Sequence, residues 1–464
     1  MAKYQAYTEY KDSGVEWLGE IPRHWDSKPL KYLCTYNDEV LPETTAKDAE
    51  IQYIDIGSVS AVDGISKIEI MIFKDAPSRA RRIVRDGDVI VSTVRTYLEA
   101  IAPINNPPEN LIVSTGFAVI RPNQYLYKSF ASYCLRAKGF IKEVVARSVG
   151  VSYPAINSSD LVNITIPSIE YVEQVKIANF LDHETAQIDS LIAKQEKLIE
   201  LLKEKRQAVI SHAVTKGLDP NVPMKDSGVA WLGEVPEHWD VSKFAYLKQV
   251  LTDYTANGSF ADLKANVQYL DEPSFARLVR LTDLRKDLAN TDGVWVNKKS
   301  YEYLKKSALY GGEFLLANVG AYAGLFYQMP FDKGYASLAP NMFMAKFNQS
   351  KVSREFMAYV GQSIPVSSQL RLSATASSAQ PKLNKDDFKA VRFVYPGLKE
   401  QQKIVDYLDQ ELKQIDILLK KQEQAISLMQ ERRTALISAA VTGKIDVRNW
   451  QARMVAGAQT ELSA

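Results

Sequence analysis

The chain has 464 residues, of which 46% are hydrophobic, so it is long enough to build more than one core. Its 57 basic and 55 acidic residues give a net charge of +2, which excludes neither nucleic acid nor protein as a partner. Two widely spaced cysteines argue against a disulfide framework and a zinc cluster, and no apolar leader or membrane-length apolar run occurs. The sequence therefore predicts a soluble, cytoplasmic protein.

The first predicted element is a turn-rich clip within residues 1–26. Its motif KDSGVEWLGEIPRHWD recurs as KDSGVAWLGEVPEHWD inside a second predicted clip at 221–240. Gly and Pro prevent a long helix in this motif, and its tryptophans are large apolar anchors. We interpret both copies as packing clips that hold the chain against other elements. Direct ligand binding by His24 or His238 is the alternative.

A first globular domain is predicted over residues 27–166. Short runs rich in β-branched and aromatic residues predict strands at 51–57, 87–94 and 116–122, whereas 129–147 has the character of a helix. Such a mixture indicates an α+β fold.

A second globular domain is predicted over 241–395, because the same pattern returns there with altered residues. Residues 311–325 resemble the strand and loop at 87–100, and 354–364 resemble the helix predicted over 129–147. The chain is therefore a tandem duplication whose domain interiors have diverged.

Two long helix regions are predicted at 167–220 and 396–447, followed by a tail at 448–464. They match at a constant offset of 227 residues, contain no Pro from 173 to 219 or from 400 to 446, and each predicts a helix of roughly 40 residues. Apolar residues at three- and four-residue steps form a coiled-coil seam. The residues expected to pair the helices or dock a partner are Ile188, Leu191, Leu198, Leu202, Ile415, Leu418, Ile426 and Met429.

The predicted architecture is thus an α+β chain in which two pseudo-symmetric globular domains are separated by two long helices packed as an antiparallel coiled coil. The paired clips, the EQxKIxxxLD helix openings at 173–182 and 400–409, and the SHAVTKG and SAAVTGK helix ends resemble the specificity subunits of type I restriction-modification systems. The resemblance covers about residues 8–447.

This resemblance implies that the globular domains are target-recognition domains, each reading one half of a bipartite double-stranded DNA target. It implies that the long helices set the spacing between the halves and dock two modification (methyltransferase) subunits. Adenine methylation from S-adenosylmethionine, and cleavage that needs ATP and Mg, would belong to the modification and restriction subunits, so this chain would be neither an enzyme nor a cofactor carrier. A coiled-coil scaffold or adaptor without DNA recognition is the alternative.

Catalytic motifs in the chain itself are weak, and we predict no catalytic or metal site. The NPPE stretch at 106–109 resembles the flipped-base loop of amino-methyltransferases, but it ends in Glu and follows no Gly-rich methyl-donor loop. The DDFK stretch at 386–389 has a nuclease-like composition and is expected to be a solvated helix start. The histidines have no metal-ligand spacing.

Base reading requires Arg for guanine, or Asn and Gln for adenine, on exposed loops. Candidates lie in an arginine cluster, in the loop that follows the apolar strand of each half, and in the loop before a shared proline; the small polar residues at 371–380 predict a surface loop. For each of them a solvated surface position unrelated to DNA is the alternative. The candidates are Arg79, Arg81, Arg82, Ser92, Thr93, Arg95, Thr96, Tyr97, Ser152, Tyr153, Asn318, Tyr322, Arg371, Ser377, Ser378 and Gln380.

Overall fold

The computed structural model describes residues 4–60, 64–286, 288–375 and 381–451. The chain divides into two compact units, which we call unit 1 (residues 1–195 and 423–464) and unit 2 (residues 196–422). The division falls inside the long helices, so each unit combines one clip, one globular domain and part of both helices. The predicted domain limits stay a prediction.

Unit 1 is built on two four-stranded sheets. Its antiparallel sheet has the strand order Ile101–Pro103, Val89–Ser92, Phe117–Pro122, Cys34–Tyr36. Its mixed sheet has the order Glu69–Ile72, Glu50–Ile54, Leu111–Ser114, Ala80–Ile83, and its central pair is parallel. Two-stranded pairs join Tyr10–Asp12 to Glu20–Pro22, Asp26–Pro29 to Thr165–Ser168, and Val59–Ser60 to Gly64–Ile65. The three predicted strands are confirmed.

The helix predicted over 129–147 is wrong as a single element. Unit 1 has helices at Lys128–Leu135, Lys138–Ala146 and Ser158–Leu161. The first two are separate because Ala137 adopts an extended backbone at the start of the second. Behind this break Gly139 packs against Trp17 of the clip, where a Cβ would lie 2.5 Å from the ring. The clip therefore requires glycine at this position.

Unit 2 repeats these layers. Its antiparallel sheet has the order Lys248–Asp253, Met342–Phe347, Phe314–Ala317, Phe326–Gln328, and its mixed sheet the order Tyr269–Leu270, Val294–Val296, Ala276–Val279, Ala336–Leu338, Ala308–Leu309. Two-stranded pairs join Met224–Asp226 to Glu234–Pro236 and Asp240–Lys243 to Arg392–Tyr395. The helices are Phe244–Leu247, Phe260–Asn266, Leu281–Leu284, Lys298–Tyr303, Arg354–Gln362, Ile364–Thr375 and Lys385–Ala390.

One loop prediction in unit 2 is wrong. Arg371 and the residues up to Thr375 belong to the helix Ile364–Thr375, not to a surface loop. Val366, Leu370 and Ala374 recur every four residues on the buried side of this helix, and that burial outweighs the loop-like composition. Ser377, Ser378 and Gln380, predicted in the same loop, lie outside the described residues.

Both long helices are confirmed, as Tyr171–Lys216 (46 residues) and Leu398–Val441 (44 residues). We call them the first and second long helix. In unit 1 they run antiparallel, since Asp189 pairs with Arg433 at 2.8 Å while the earlier Lys176 reaches the carbonyl of the later Arg448 at 3.0 Å. In unit 2 Arg206 pairs with Asp416 at 3.4 Å. None of the helices in the described ranges is both long and apolar enough to cross a lipid bilayer.

The seam of these helices differs in register from the prediction. Buried and half-buried positions alternate by three and four residues, as a coiled coil requires. They are 188, 192, 195, 199, 202, 206 and 209 in the first long helix, and 408, 412, 415, 419, 422, 426, 429, 433 and 436 in the second.

The predicted residues Ile188, Leu202, Ile415, Ile426 and Met429 lie on this stripe. The seam prediction is wrong at Leu191, Leu198 and Leu418, which are 45%, 38% and 42% exposed. Each precedes another apolar residue that takes the seam position, so the sequence allowed both registers.

Candidate nucleic-acid interface

In unit 1 the clip is fastened to the start of the first long helix by one carboxylate. Glu173 accepts hydrogen bonds from the Trp25 indole at 3.1 Å and from the Tyr7 hydroxyl at 2.7 Å, and its second oxygen lies 3.0 Å from His24 Nε2. Trp25 is fully buried in the main core of the unit. The interpretation of this motif as a packing clip is confirmed, and His24 takes part in that packing.

Unit 2 repeats the same fastening. Glu400, at the start of the second long helix, accepts from the Trp239 indole at 3.1 Å and lies 2.9 Å from His238 Nε2. We call each Glu–Trp–His contact a latch. Two identical latches explain why the HWD motif and the helix-opening EQ motif both occur twice.

The glutamine that follows each latch glutamate ties the helix to its globular domain. The Gln174 amide accepts from the Tyr127 backbone N–H at 2.7 Å and donates to the carbonyls of Tyr125 and Ile169, both at 2.9 Å. Its side chain is buried, so these bonds satisfy polar groups that water does not reach.

Gln401 does the same in unit 2. It accepts from Ser353 N at 2.8 Å and donates to the carbonyls of Lys351 at 2.7 Å and Pro396 at 2.8 Å. The frame that holds the globular part of each unit is therefore built from the same contacts.

The loops at the ends of the central strands are held by a second repeated set of contacts. In unit 1 the loop 93–99 follows strand Val89–Ser92 and pairs with the segment 148–156, because Val94 bridges Ala155 and Ile156 N donates to Thr93 O at 2.9 Å. In unit 2 Val319 bridges Lys382, and Leu383 N donates to Asn318 O at 2.9 Å. We call 93–99 and 318–324 the central loops.

Three candidates in the first central loop or at the end of the strand before it face inward. Ser92, Thr93 and Thr96 are buried, and their hydroxyls bond within the protein, to Val94 O at 2.6 Å, Gly116 O at 2.9 Å and Ser148 Oγ at 2.8 Å respectively. These three residues shape the loop from inside.

Four other candidates of unit 1 face solvent. Tyr97 is 54% and Tyr153 66% exposed, and Arg95 and Ser152 are also exposed. The guanidinium carbon of Arg95 lies 5.0 Å from the centre of the Tyr153 ring, which is a cation–π contact between the two paired segments.

The arginine cluster lies beside the mixed sheet and is engaged in contacts within the protein. Arg79 pairs with Asp55 at 2.8 Å, and Arg81 stacks over the Phe73 ring at 4.9 Å. Arg82 is half-buried, and this burial lowers its pKa. Arg85, the remaining member of the stretch, pairs with Glu39 at 2.7 Å.

In unit 2 the second central loop carries Asn318 and Tyr322. The Asn318 side-chain oxygen is buried without a hydrogen-bond partner among the described residues, and Tyr322 is 41% exposed. Arg371 is exposed on its helix.

Sequence reasoning missed Arg285, which lies just beyond helix Leu281–Leu284. Its guanidinium carbon lies 4.8 Å from the Tyr322 ring centre, and its Nη1 donates to the Tyr322 hydroxyl at 3.0 Å. The two residues are 37 positions apart, so only the folded structure brings them together.

The NPPE and DDFK stretches, which the sequence analysis rejected as catalytic motifs, have local structural roles. Asn106 has a left-handed backbone (φ 46°), and its N–H donates to Asp86 at 2.9 Å. Asp387 closes a capping box with Asn384, which confirms the helix start at this stretch. Among the described residues no group of three or more His, Cys, Asp or Glu side chains is arranged to hold a metal ion.

Comparison with known proteins gives a consistent result. A family model described as "Type I restriction modification DNA specificity domain" matches residues 22–201 and 269–427. The type I restriction enzyme StySPI specificity subunit of Salmonella potsdam is 24% identical over 338 residues, which cover 72% of this chain and 68% of that protein. The putative MjaX specificity subunit of Methanocaldococcus jannaschii is 24% identical over 462 residues, covering 96% and 99%.

A third curated relative, the EcoKI specificity subunit of Escherichia coli, is 23% identical and covers 72% of this chain and 69% of its own length. Among solved structures, a chain from a study of the assembly and conformational transition of the type I R-M system aligns with a TM-score of 0.69 and 21% identity. The alignment covers 92% of this chain and 99% of the other. At this identity the structural likeness shows a shared fold.

Proposed function

Because this chain belongs to the family of type I restriction-modification DNA specificity domains and so acts as a DNA sequence-specificity subunit, we propose that each unit reads one half of a bipartite double-stranded target. The observation that carries the proposal is the contrast between frame and loops. The latch and glutamine contacts are the same in both units, whereas the central loops carry different side chains. A constant frame with diverged loops suits two readers of different sequences.

The long helices are proposed to set the distance between the half-sites and to dock two modification subunits. Leu191, Leu198 and Leu418 support this docking, since they are large apolar side chains that lie off the seam and face solvent. Adenine methylation with S-adenosylmethionine is assigned to those modification subunits. Cleavage with ATP and Mg is assigned to restriction subunits, and the assembled complex to the cytoplasm.

The proposal is tested by expressing the chain with its modification subunits and sequencing methylated adenines across a host genome. We expect one bipartite motif that appears only when this chain is present. Exchange of residues 27–166 for those of a relative should change one half-site and leave the other half-site and the spacer unchanged. If both half-sites persist after the exchange, the assignment of one reader to each unit is wrong.

The alternative, a coiled-coil scaffold without DNA recognition, has no support from the family match. It predicts that the complex with modification subunits does not prefer the motif-bearing duplex over a scrambled one in a gel-shift assay. We expect a clear preference, measured at a stated salt concentration because phosphate contacts weaken as salt rises.

A further inference from the structure

We infer that Arg95 and Arg285 are the specificity-determining arginines of the two units, each donating paired hydrogen bonds to a guanine of one half-site. This inference rests on the proposed function and adds to it the residue and the base. It is carried by a comparison of the two central loops within the one chain.

Both central loops have a positive φ at two corresponding positions, which is a backbone angle that favours glycine. In unit 2 the left-handed positions are Gly320 (φ 88°) and Gly324 (φ 82°). In unit 1 the corresponding positions are Arg95 and Glu99, both at φ 51°. A residue with a Cβ is strained in this region, because the Cβ approaches backbone oxygen atoms. Unit 2 has glycine at both positive-φ positions of its loop, where that strain does not arise.

Arg95 therefore occupies a strained position that the fold does not require it to fill. Its side chain is exposed, so the strain is not offset by burial in the core. Strained residues of this kind concentrate at functional sites. The Arg95 side chain is thus best explained by what it contacts outside the protein.

The contact that Arg95 makes within the protein also suits a reader. Its guanidinium lies against the face of Tyr153, 5.0 Å from the ring centre. Stacking on a ring face orients the guanidinium plane but leaves the N–H groups at its edge available for a ligand. By contrast Arg79 and Arg85 use those groups on the carboxylates of Asp55 and Glu39.

Unit 2 has glycine at the position of Arg95, yet a guanidinium still reaches its central loop. Arg285 comes from another element and stacks on Tyr322, two residues after Gly320, at 4.8 Å. Arg285 donates one hydrogen bond, 3.0 Å long, to the Tyr322 hydroxyl, and its other N–H groups remain available to a ligand. Each unit thus presents one exposed, ring-stacked arginine at the same loop by a different route.

Guanine is the base that this group fits. Its O6 and N7 atoms lie side by side in the major groove, and a planar guanidinium donates to both at once. Lysine carries the same charge but lacks the flat pair of donors. A phosphate also accepts from arginine, so the test must separate base reading from backbone contact.

The experiment uses the complex with modification subunits and a duplex library based on the wild-type target. We expect Arg95→Gly to lower discrimination at one G·C pair of one half-site by about 5- to 100-fold, while the other half-site is read as before. Arg95→Lys should lose the same discrimination but keep the salt dependence of binding. Arg285→Lys should act in the same way on the other half-site.

Glu99→Gly is the matched control, since it relieves the same backbone strain without removing a guanidinium. It should leave the preferred bases unchanged. Arg95→Gly should unfold at the same temperature as wild type or a higher one, because glycine relaxes the turn. Altered recognition with intact folding separates reading from structural support.

Three results would overturn the inference while leaving the proposed function in place. The first is a uniform loss of affinity on all sequences with a weaker salt dependence, which is the behaviour of a phosphate contact. The second is an unchanged motif in Arg95→Gly, and the third is a wild-type half-site without a G·C pair. A wild-type complex that selects no sequence at all would instead refute the proposed function.

Discussion

The smallest repeated feature is a pair of neighbouring side chains at the start of each long helix. Glu173 and Glu400 fasten the clips, and Gln174 and Gln401 satisfy three backbone groups each. The EQ dipeptide recurs at an offset of 227 residues, and this repetition indicated that the two pairs have the same role. It did not indicate their partners, which lie up to 166 residues away.

Gln401 offers a direct test of this arrangement. Gln401→Ala should lower the free energy of unfolding by about 2–4 kcal/mol, because it leaves buried backbone donors and acceptors without partners. The adjacent Gln402 is exposed, and among the described residues its side chain bonds only to Asp406 of the same helix, so Gln402→Ala should cost less than about 0.5 kcal/mol. Urea unfolding measures both values, and equal losses would contradict the role of Gln401.

Asp283 in unit 2 gives stability that depends on pH. Burial acts to raise its pKa, but hydrogen bonds from Arg280 and Asn290 outweigh burial and lower the pKa to about 2. Because the folded-state pKa lies below that of the unfolded chain, the carboxylate stabilises the fold above about pH 4. This contribution is lost as the pH falls from about 4 towards 2.

We therefore expect Asp283→Asn to destabilise the protein by about 2 kcal/mol or more at pH 7, because two arginines lose a buried partner. The difference from wild type should shrink below about pH 3. Asp271, which is exposed, provides the control substitution Asp271→Asn. Denaturant unfolding across this pH range measures the effect, and a difference that stays constant with pH would contradict it.

At the scale of elements, the long helices were predictable and their contact register was not. The length of each segment, the absence of Pro and the three- and four-residue spacing of apolar residues predicted that these helices exist. Adjacent apolar pairs such as Leu191 and Ile192 left two possible seams, which only packing against the other helix resolves. The break at Ala137 was equally hidden, because no proline marks it in the sequence.

The seam register predicts different roles for two apolar residues one turn apart. Ile188 is 6% exposed and belongs to the unit 1 core, so Ile188→Ala should cost about 2–4 kcal/mol of unfolding free energy. Leu191 is 45% exposed, and Leu191→Ala should cost less than about 1 kcal/mol while weakening association with modification subunits. Thermal unfolding and pull-down of those subunits separate the two effects. Equal destabilisation would show that the seam is assigned incorrectly.

At the scale of the whole molecule, the duplication could be predicted in outline and the proposed reading surface could not. Repeated motifs located the clips, domains and helices. The loops differ between the two halves, so a comparison of the halves does not show which loop residues are exposed. The candidates Ser92 and Thr96, for example, proved to be buried. Arg285 was missed because its partner, Tyr322, is distant in sequence.

If the helices set the spacing, their length should control it. Inserting seven residues within 190–205, with seven more in the facing part of the second long helix, adds about 10 Å to each and preserves the coiled-coil stripe. We expect a longer preferred spacer with both half-sites unchanged. Sequencing of methylated DNA measures the result, and replacing the same segment with one of equal length is the control. An unchanged spacer would contradict this role.

The near-identity of the two latches raises a problem during folding. The clips differ at only three of sixteen positions, so either one fits either glutamate chemically. Along the chain His24 lies 149 residues from Glu173, whereas His238 follows Glu173 by only 65. The incorrect pair closes the shorter loop and so costs less chain entropy. Synthesis from the N-terminus resolves the competition, because the first clip and Glu173 leave the ribosome before the second clip exists. Refolding of the full-length chain from denaturant has no such order and is expected to produce mispaired clips.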